Sequence, residues 1–542
     1  MDSLWEPILA ARRSRVNVWT GDRFSGATWG DVVADARRMS GGLRKLGVGP
    51  GVRVATILTN TPLAVRGVLA VWLAGGAVAS LPVPARGMSM DEYLRQIVAL
   101  CERIGSPVLL SDAALAGTLP EWAAAATSAT PWEAVSLDAA PREHLPGPDD
   151  VAFLQFSSGS TSLPKGCVLT PRAIAEQITM IRAMTEAEPD RESVVSWLPL
   201  SHDMGMFGCL VFPWYHDMPL ALSSPERFAF GARTWFDDLA AFGATMTAGT
   251  NTALHLAVRA QRGRPLRAPL DLRVAIVAAE RVERDTLLAA VEEFGDAGLT
   301  LEAFMPAYGM AEATLAVTAT PPRQAPAFLS VDNIELAEGR ITPVDPTEPT
   351  ATWLTGCGRA VPGVEVAETR PGSVSELLVR SPSLARGYHG DPERTAARFT
   401  PDGLRTGDLG FLRDGELYFA GRLDDVISVG GRNVNTLGIE AAIDALAPIR
   451  RGCSAIIDVD DGRRGRLVLV TELQDHRVDP EVVAGLAADV AMSKAGIALA
   501  ECVFLRRGSL PKTPSGKVQR YRCRQLLRSG ALPRFASVGL GA

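Results

Sequence analysis

Short apolar strands alternate with helices through the first half of the chain, and that alternation limits the fold more than any other feature. Residues Thr28 to Gly47 carry apolar side chains at helical spacing (Val32, Val33, Ala36, Met39, Leu43, Leu46), and Gly47 suits the left-handed end of that helix. Val52 to Leu58 reads as a strand, a helix follows Pro62 as far as Leu73, and Ala77 to Leu81 reads as the next strand. The pattern predicts an α/β protein with layered subdomains built on largely parallel sheets. At 542 residues the chain is too long for one core, so two or three domains are expected.

The stretch Phe156-Ser-Ser-Gly-Ser-Thr-Ser-Leu-Pro-Lys-Gly-Cys-Val-Leu-Thr170 carries the chemistry. An apolar run from Val151 to Phe156 reads as a buried strand, and Thr170-Pro171 reads as an N-cap and first helical position. Between them lie small hydroxyl residues, an early Gly159 and a closing Lys165-Gly166. Small side chains let backbone N–H groups approach an anion, and hydroxyls and the lysine add donors and charge, so the loop suits phosphate. The alternative is a solvated flexible loop. The order Lys-Gly-Cys differs from the Gly-Lys-Ser/Thr end of a Walker A loop.

The net charge of -6 gives no general attraction for nucleic acid, while a local basic patch remains open. Seven scattered cysteines without a Cys-x-x-Cys pair favour reduced thiols in a cytoplasmic setting over a disulfide or zinc framework. The most apolar stretch, Gly67 to Ala85, contains Gly75-Gly76, Pro82 and Pro84, and is expected to be a buried helix and core strand and not a membrane span. Pro120 to Asp150, rich in Ala, Pro, Ser and Thr, reads as a surface connection.

The loop resembles the phosphate-binding loop of the adenylate-forming superfamily of acyl-CoA synthetases, adenylation domains and luciferases, with fatty acyl-AMP ligases as the nearest branch. Further segments carry the same resemblance in order. Trp197-Leu-Pro-Leu-Ser-His-Asp-Met-Gly-Met206 is similar to a fatty acyl-AMP ligase segment, which implies His202 near the acyl carboxylate and thiol entrance; a plain helix-start turn at His202-Asp203 is the alternative. Val274 to Val282 occupies the place of a Gly-Ala-Glu-Pro segment bordering the adenine, with Ala278 for the glycine and Arg281 for the proline, leaving Ala279 and Glu280 as the expected contacts.

Pro306-Ala-Tyr-Gly-Met-Ala-Glu-Ala-Thr314 resembles the Tyr-Gly-x-x-Glu motif. Tyr308 offers a ring for the adenine, with Gly309, Met310 and Ala311 beside it, and Glu312 offers a hard oxygen for Mg²⁺. The resemblance implies that Ser157, Ser158, Gly159, Ser160, Thr161 and Lys165 hold the ATP phosphates, with Thr161 a second metal ligand. In Leu404 to Gly410, Asp408 is the implied ribose acceptor, and Asp414-Gly415 is expected to be a hairpin turn. Arg422 would reach ribose or phosphate, Asp424 matches a hinge, and Gly430-Gly431 would line a pantetheine path.

The resemblance implies a large domain, residues 1–423, of layered α/β subdomains plus a β-rich subdomain holding Ser375 to Arg380 and Ser383 to Tyr388, and a small mobile α+β domain, residues 424–542, with a helix from Leu437 to Leu446, hairpin strands around Gly462 and a helix from Glu481 to Met492. Leu510-Pro-Lys-Thr-Pro-Ser-Gly-Lys-Val-Gln-Arg520 places Lys517 as the adenylation lysine, while Lys512 and Arg520 would equally suit a solvated basic loop.

The implied reaction is ATP-dependent conversion of a carboxylic acid to acyl-AMP, with transfer to an acyl-carrier protein thiol. The Pro-rich break from Thr320 to Thr355 resembles the insertion that separates such ligases from CoA ligases. A ligase using free CoA, an enzyme that stops at acyl-AMP, and a nucleotide-binding scaffold without activity are the alternatives. The acyl pocket is assigned to Trp197, His202, Asn251 and Thr252. Thr252 and Leu254, where aromatic residues often stand, suggest an acid bulkier than a linear fatty acid.

Overall fold

The computed structural model describes residues 3–10, 12–84, 88–117, 128–141, 143–157, 164–429, 432–459, 466–475, 477–512 and 518–540. Two sheets with parallel cores dominate. The nine-stranded sheet runs in the order Arg359–Ala360, Ala316–Ala319, Phe304–Gly309, Val274–Val277, Met246–Gly249, Val194–Ser196, Leu220–Leu222, Arg15–Trp19, Phe24–Thr28. Its neighbours from Phe304–Gly309 to Arg15–Trp19 pair in parallel, and the ends are closed by antiparallel strands. The six-stranded sheet is parallel from Ser128–Pro131 to Phe153–Ser157 and ends in the antiparallel strand Lys165–Leu169.

Local chemistry sets the helices as the sequence predicts. Trp29–Lys45 starts in a capping box, with Thr28 and Asp31 exchanging bonds, and buries Val32, Val33, Ala36, Met39 and Leu43. Gly47 then takes φ +86°, a conformation glycine adopts without strain. Thr170 accepts from the Ala173 N–H with Pro171 at the first position, fixing the start of Pro171–Thr185. The helix Pro62–Leu73 is buried along nearly its whole length, and Trp72 Nε1 donates to Ala152 O at 2.8 Å, tying it to the sheet. No described helix is long and apolar enough to cross a membrane.

The segment expected to be a mere surface connection contributes to the core. Ser128–Pro131 adds an edge strand, and Trp132 is 1% exposed. Gly67 makes room for it: a Cβ there would lie 2.3 Å from the indole. Composition marked this stretch as loop, but one edge pairing and one large side chain seat it.

The Pro-rich insertion folds as a hairpin, Phe328–Asp332 against Ala351–Thr355, with a short helix Asn333–Ala337 capped by Asp332. An antiparallel sheet follows between Glu365 and Arg422. Within it Asp414 (φ +54°) and Gly415 (φ +79°) make the expected hairpin turn between Arg413 and Glu416. The C-terminal segment builds a four-stranded sheet, Ile449–Val459, Arg466–Leu473, Glu501–Leu505 and Arg534–Gly539, with helices Leu437–Asp444, Pro480–Ala495 and Arg520–Arg528. Its two apolar clusters draw only on residues from Ile427 onward. Gly462 and Gly430-Gly431 lie outside the described residues.

Candidate active site

A cavity of about 460 Å³ opens at the carboxyl ends of the parallel strands, where backbone leaves the sheet and side chains can converge. Lys165, His202, Asn251, Thr252, Ala279, Glu280, Tyr308, Gly309, Met310, Ala311, Glu312, Asp408, Arg422 and Asp424 all line it. These residues come from separate stretches of chain, so their meeting is a tertiary event.

At one end Tyr308 Oη donates to Asp408 Oδ2 at 2.7 Å, and Arg422 Nε donates to Asp408 Oδ1 at 2.8 Å. Tyr308 is nearly buried, with its ring beside Phe419 at 6.2 Å between centroids. The strand Gly403–Arg413 presents Asp408, whose N–H donates to the Thr406 hydroxyl at 3.1 Å. Each carboxylate oxygen can accept more than one bond, so Asp408 keeps capacity for a diol while held by Tyr308 and Arg422. The Asp408 charge holds Arg422 firmly protonated, and burial together with Asp408 pushes the Tyr308 phenol up.

At the other end Glu312 sits on the short 3₁₀ turn Ala311–Ala313, and its Oε1 accepts from Tyr388 Oη at 2.8 Å. Lys165 Nζ lies over the Tyr388 ring, 5.6 Å from its centre. Burial, aided by Arg394, lowers the Lys165 pKa, while Glu312 opposes the shift. Ser157 pairs with Lys165 across the hairpin, so the serine-rich loop is anchored at both feet. Ser158, Gly159, Ser160 and Thr161 lie outside the described residues, and no side-chain placement is described for Ser157.

Three of the residues expected to border the acid, His202, Asn251 and Thr252, line the same cavity. His202 Nδ1 stands 2.6 Å from Asp203 Oδ1, and His202 O accepts from Met206 N as the following helix opens. Asn251 begins the helix Asn251–Gln261 and accepts at Oδ1 from the Glu283 N–H at 2.9 Å. Thr252 donates from both N and Oγ1 to Glu280, tying the helix to the loop after Val274–Val277. Ala279 in that loop takes φ +70°, an uncommon conformation for a residue with a Cβ. Arg281, in the place of the family's proline, donates to Trp353 O at 2.6 Å, so the loop grips the insertion hairpin.

Several expectations are corrected. Trp197 is not on the cavity wall; half-buried, it stacks on Phe228 at 3.9 Å and meets Trp235 edge-on against the second apolar cluster. Leu254 is 1% exposed within the second apolar cluster and does not line the cavity, which removes half the argument for a bulkier acid. Lys512 is 5% exposed, and Arg520 pairs with Asp425 at 3.2 Å and with Glu440, so neither belongs to a solvated loop. Lys517 lies outside the described residues; its flanks Lys512 and Val518 form a bridge, and Val518, Gln519 and Arg520 line the cavity.

Sequence reasoning missed Tyr388, Arg398 and Phe419. Tyr388 closes the Ser383-Leu-Ala-Arg-Gly-Tyr388 segment, read from sequence only as part of a β-rich subdomain, and nothing in that run points to a carboxylate partner. Arg398 on the helix Pro392–Arg398 lines the cavity and donates to Thr406 O. Nothing local distinguishes Arg398 from other surface arginines.

Two carboxylates each held by a tyrosine, Asp408 by Tyr308 and Glu312 by Tyr388, face one cavity at the mouth of two parallel-cored sheets, the arrangement of an adenylate-forming ligase. The AMP-binding enzyme family model matches residues 10–389, and the chain belongs to that family. The medium-chain-fatty-acid–[acyl-carrier-protein] ligase JamA of Moorena producens (strain JHB) is 32% identical over 71% of this chain and 69% of its own. The long-chain-fatty-acid–AMP ligase FadD26 of Mycobacterium bovis is 30% identical over 94% of this chain and 92% of its own. A structure from studies of fatty acyl-adenylate ligases of E. coli and L. pneumophila superposes with a TM-score of 0.87 at 24% identity, covering 98% of each chain, which establishes the fold.

Proposed function

We propose that the chain joins a carboxylic acid to the AMP part of ATP, releasing pyrophosphate, and then passes the acyl group to the phosphopantetheine thiol of a carrier protein. The observation that carries this is the joining of three parts in one cavity: Tyr308–Asp408–Arg422, Lys165 with Glu312–Tyr388, and an apolar recess beside His202. A carboxylate attacking the α-phosphate brings two anions together, so oriented cations and donors are the expected aid. In this reading Asp408 accepts from the ribose, Tyr308 borders the adenine with Ala279, and Lys165 with the serine-rich loop holds the outer phosphates. Glu312 shares only Oε1 with Tyr388 in a described bond, which suits the carboxylate to a Mg²⁺ that keeps several waters, with Thr161 as its second ligand. Such an ion would screen the phosphate charge.

We assign residues 1–423 and 424–542 to two domains hinged at Asp424, supported by the separate C-terminal cores. The named activity of JamA and the insertion favour a carrier protein as acceptor. The insertion also meets the C-terminal domain directly. Lys494 Nζ donates to Pro349 O at 2.7 Å and Ala351 O at 2.9 Å, and Asn333 Nδ2 donates to Lys494 O at 2.9 Å. A latch of this kind resists the swing that would admit a free thiol, whereas a docked carrier can offset it with its own contacts.

The test is acid-dependent pyrophosphate release, repeated with free CoA and with a phosphopantetheinylated carrier protein. Release with an acid, and thioester formed on the carrier at least about tenfold faster than on CoA, is expected. Equal rates on both acceptors would select a CoA ligase, and absence of release with every acid would select a nucleotide-binding scaffold. Lys494→Ala, which removes two latch bonds, should raise thioester formation on CoA by about 3- to 10-fold, in line with one to two modest hydrogen bonds. Unchanged CoA turnover in that variant would remove the latch from the argument.

A further inference from the structure

The helix Asn251–Gln261 is packed on two sides. Ala253, Leu254, Ala257 and Val258 are buried in the second apolar cluster. Thr252, His255 and Arg259 follow at steps of three and four, so they share the opposite side. Residues from far later in the chain cover that side. Arg259 Nη1 and Nη2 donate to the Gln474 side-chain oxygen at 3.1 and 3.2 Å, in the amide orientation that satisfies both groups. Arg451 Nη1 stands 3.7 Å from Glu283 Oε2, and both charges act on His255.

A bulge in the C-terminal sheet makes this contact. The pairing of Ile449–Val459 with Arg466–Leu473 slips between Ile449 and Ser454, and Gly452 takes φ +66°, the left-handed conformation that suits such a bulge. Arg450 stays with the sheet, its Nη1 2.7 Å from Glu472 Oε2, while Arg451 turns outwards to Glu283. The bare Gly452 meets the helix: a Cβ there would lie 3.8 Å from Thr252 Oγ1 and 3.7 Å from Lys512 Nζ. Three stretches of chain therefore converge over one glycine. Lys512 is buried there, and a buried ammonium needs negative charge close by. It acts on two buried carboxylates, Glu280 and Asp444, and Glu280 is itself bound to the N–H and hydroxyl of Thr252.

This seam borders the cavity, since Thr252, Glu283 and Gly452 all line it. Lys512 also bridges Val518, and Gln519 N donates to Pro511 O at 2.9 Å, so the stretch that holds Lys517 leaves and returns at paired positions. We propose that Arg451 and Lys512 are positioning residues for adenylation. The Arg451–Glu283 pair seats the Gly452 bulge on the helix Asn251–Gln261, and Lys512, fixed over that seat, sets where the stretch holding Lys517 meets the cavity. Neither side chain is on the cavity wall, so both act through other residues. The inference rests on the acyl-adenylating reading above.

The test measures two half-reactions: pyrophosphate release with a panel of linear, branched and aromatic carboxylic acids, and transfer from the acyl-AMP of the best acid to a phosphopantetheinylated carrier protein. The chains compared are wild type, Arg451→Glu, Glu283→Arg, the double variant and Lys512→Met. Each single charge reversal should lower release by about fivefold, the upper range for a partly exposed pair. The double variant restores opposite charges and should return to within about twofold of wild type. Lys512→Met should lower release at least about tenfold, because it strips the buried seam of its cation. Transfer from acyl-AMP should stay within about threefold of wild type throughout, which shows that each variant is folded. A double variant as slow as the product of its two single losses would overturn the seat. Release unchanged in Lys512→Met, or both half-reactions falling together in it, would overturn its positioning role. Wild type without release on any acid of the panel would overturn the adenylating reading itself.

Discussion

Lys517→Ala is expected to lower acid-dependent pyrophosphate release by at least about 10³-fold, the loss typical when a preorganised charge at a developing anion is removed. The same variant should still consume supplied acyl-AMP with a thiol acceptor within a factor of about three, because that half-reaction no longer needs charge on the α-phosphate. The split is the informative part. Lys517 is carried by a segment whose flanks reach the cavity: Lys512 bridges Val518, and Val518 to Arg520 line the wall. Those flanks are seated by the Arg520 pairs with Asp425 and Glu440 and by Arg522 against Glu92, far earlier in the chain, at 2.5 Å. Pyrophosphate release unchanged in Lys517→Ala would remove the role assigned to this lysine, and loss of both half-reactions would reassign it to folding or docking.

Asp408→Ala should raise KM for ATP by about 10- to 100-fold, the range for deleting hydrogen bonds to a charged group. The physical reason is that one carboxylate serves several partners. Tyr308 Oη and Arg422 Nε both donate to it, and the same oxygens face the space where a ribose would lie. Its removal loosens the Tyr308 ring as well as the ribose contact proposed for Asp408. Stability should fall by about 1–2 kcal/mol, since Asp408 and Tyr308 are buried while Arg422 remains partly in solvent. Asp408→Asn keeps an acceptor for Tyr308 but loses the charge facing Arg422, so it should fall between wild type and the alanine variant. Isothermal titration with ATP, set beside a denaturant melt, separates the two effects. An unaltered ATP affinity in Asp408→Ala would place the nucleoside elsewhere.

Much of the architecture was legible because it rests on short-range chemistry. Apolar spacing from Thr28 to Gly47, the Thr170 cap, Pro62 and Pro171 at helix starts, and the Asp414-Gly415 turn depend on neighbours within a few residues, and each stands as read. The strands flanking the serine-rich stretch were legible for the same reason, since the apolar run to Phe156 and the Lys165–Leu169 segment are local patterns. The readings that failed rested on composition or on a motif's outline. Trp197 matches its motif yet packs against the second apolar cluster, and of the two cations that look solvent-bound Lys512 is buried and Arg520 is held in ion pairs. Whether a side chain faces cavity, core or water is a property of what packs against it.

Alone, the sequence determined the α/β class and those helices and strands whose spacing, caps and turns are local, and it offered residue types for a phosphate, a ribose and a metal ion that enter the proposal as expectations. Only the tertiary structure decided that Tyr388 meets Glu312 across 76 positions, that Tyr308 meets Asp408 across 100, and that Arg281 holds the insertion at Trp353. Local preferences act through dihedral angles and nearby hydrogen bonds, so they can be read along the chain. Contacts between distant residues depend on how layers stack and which gaps a glycine leaves open, and that geometry exists only once the chain has folded.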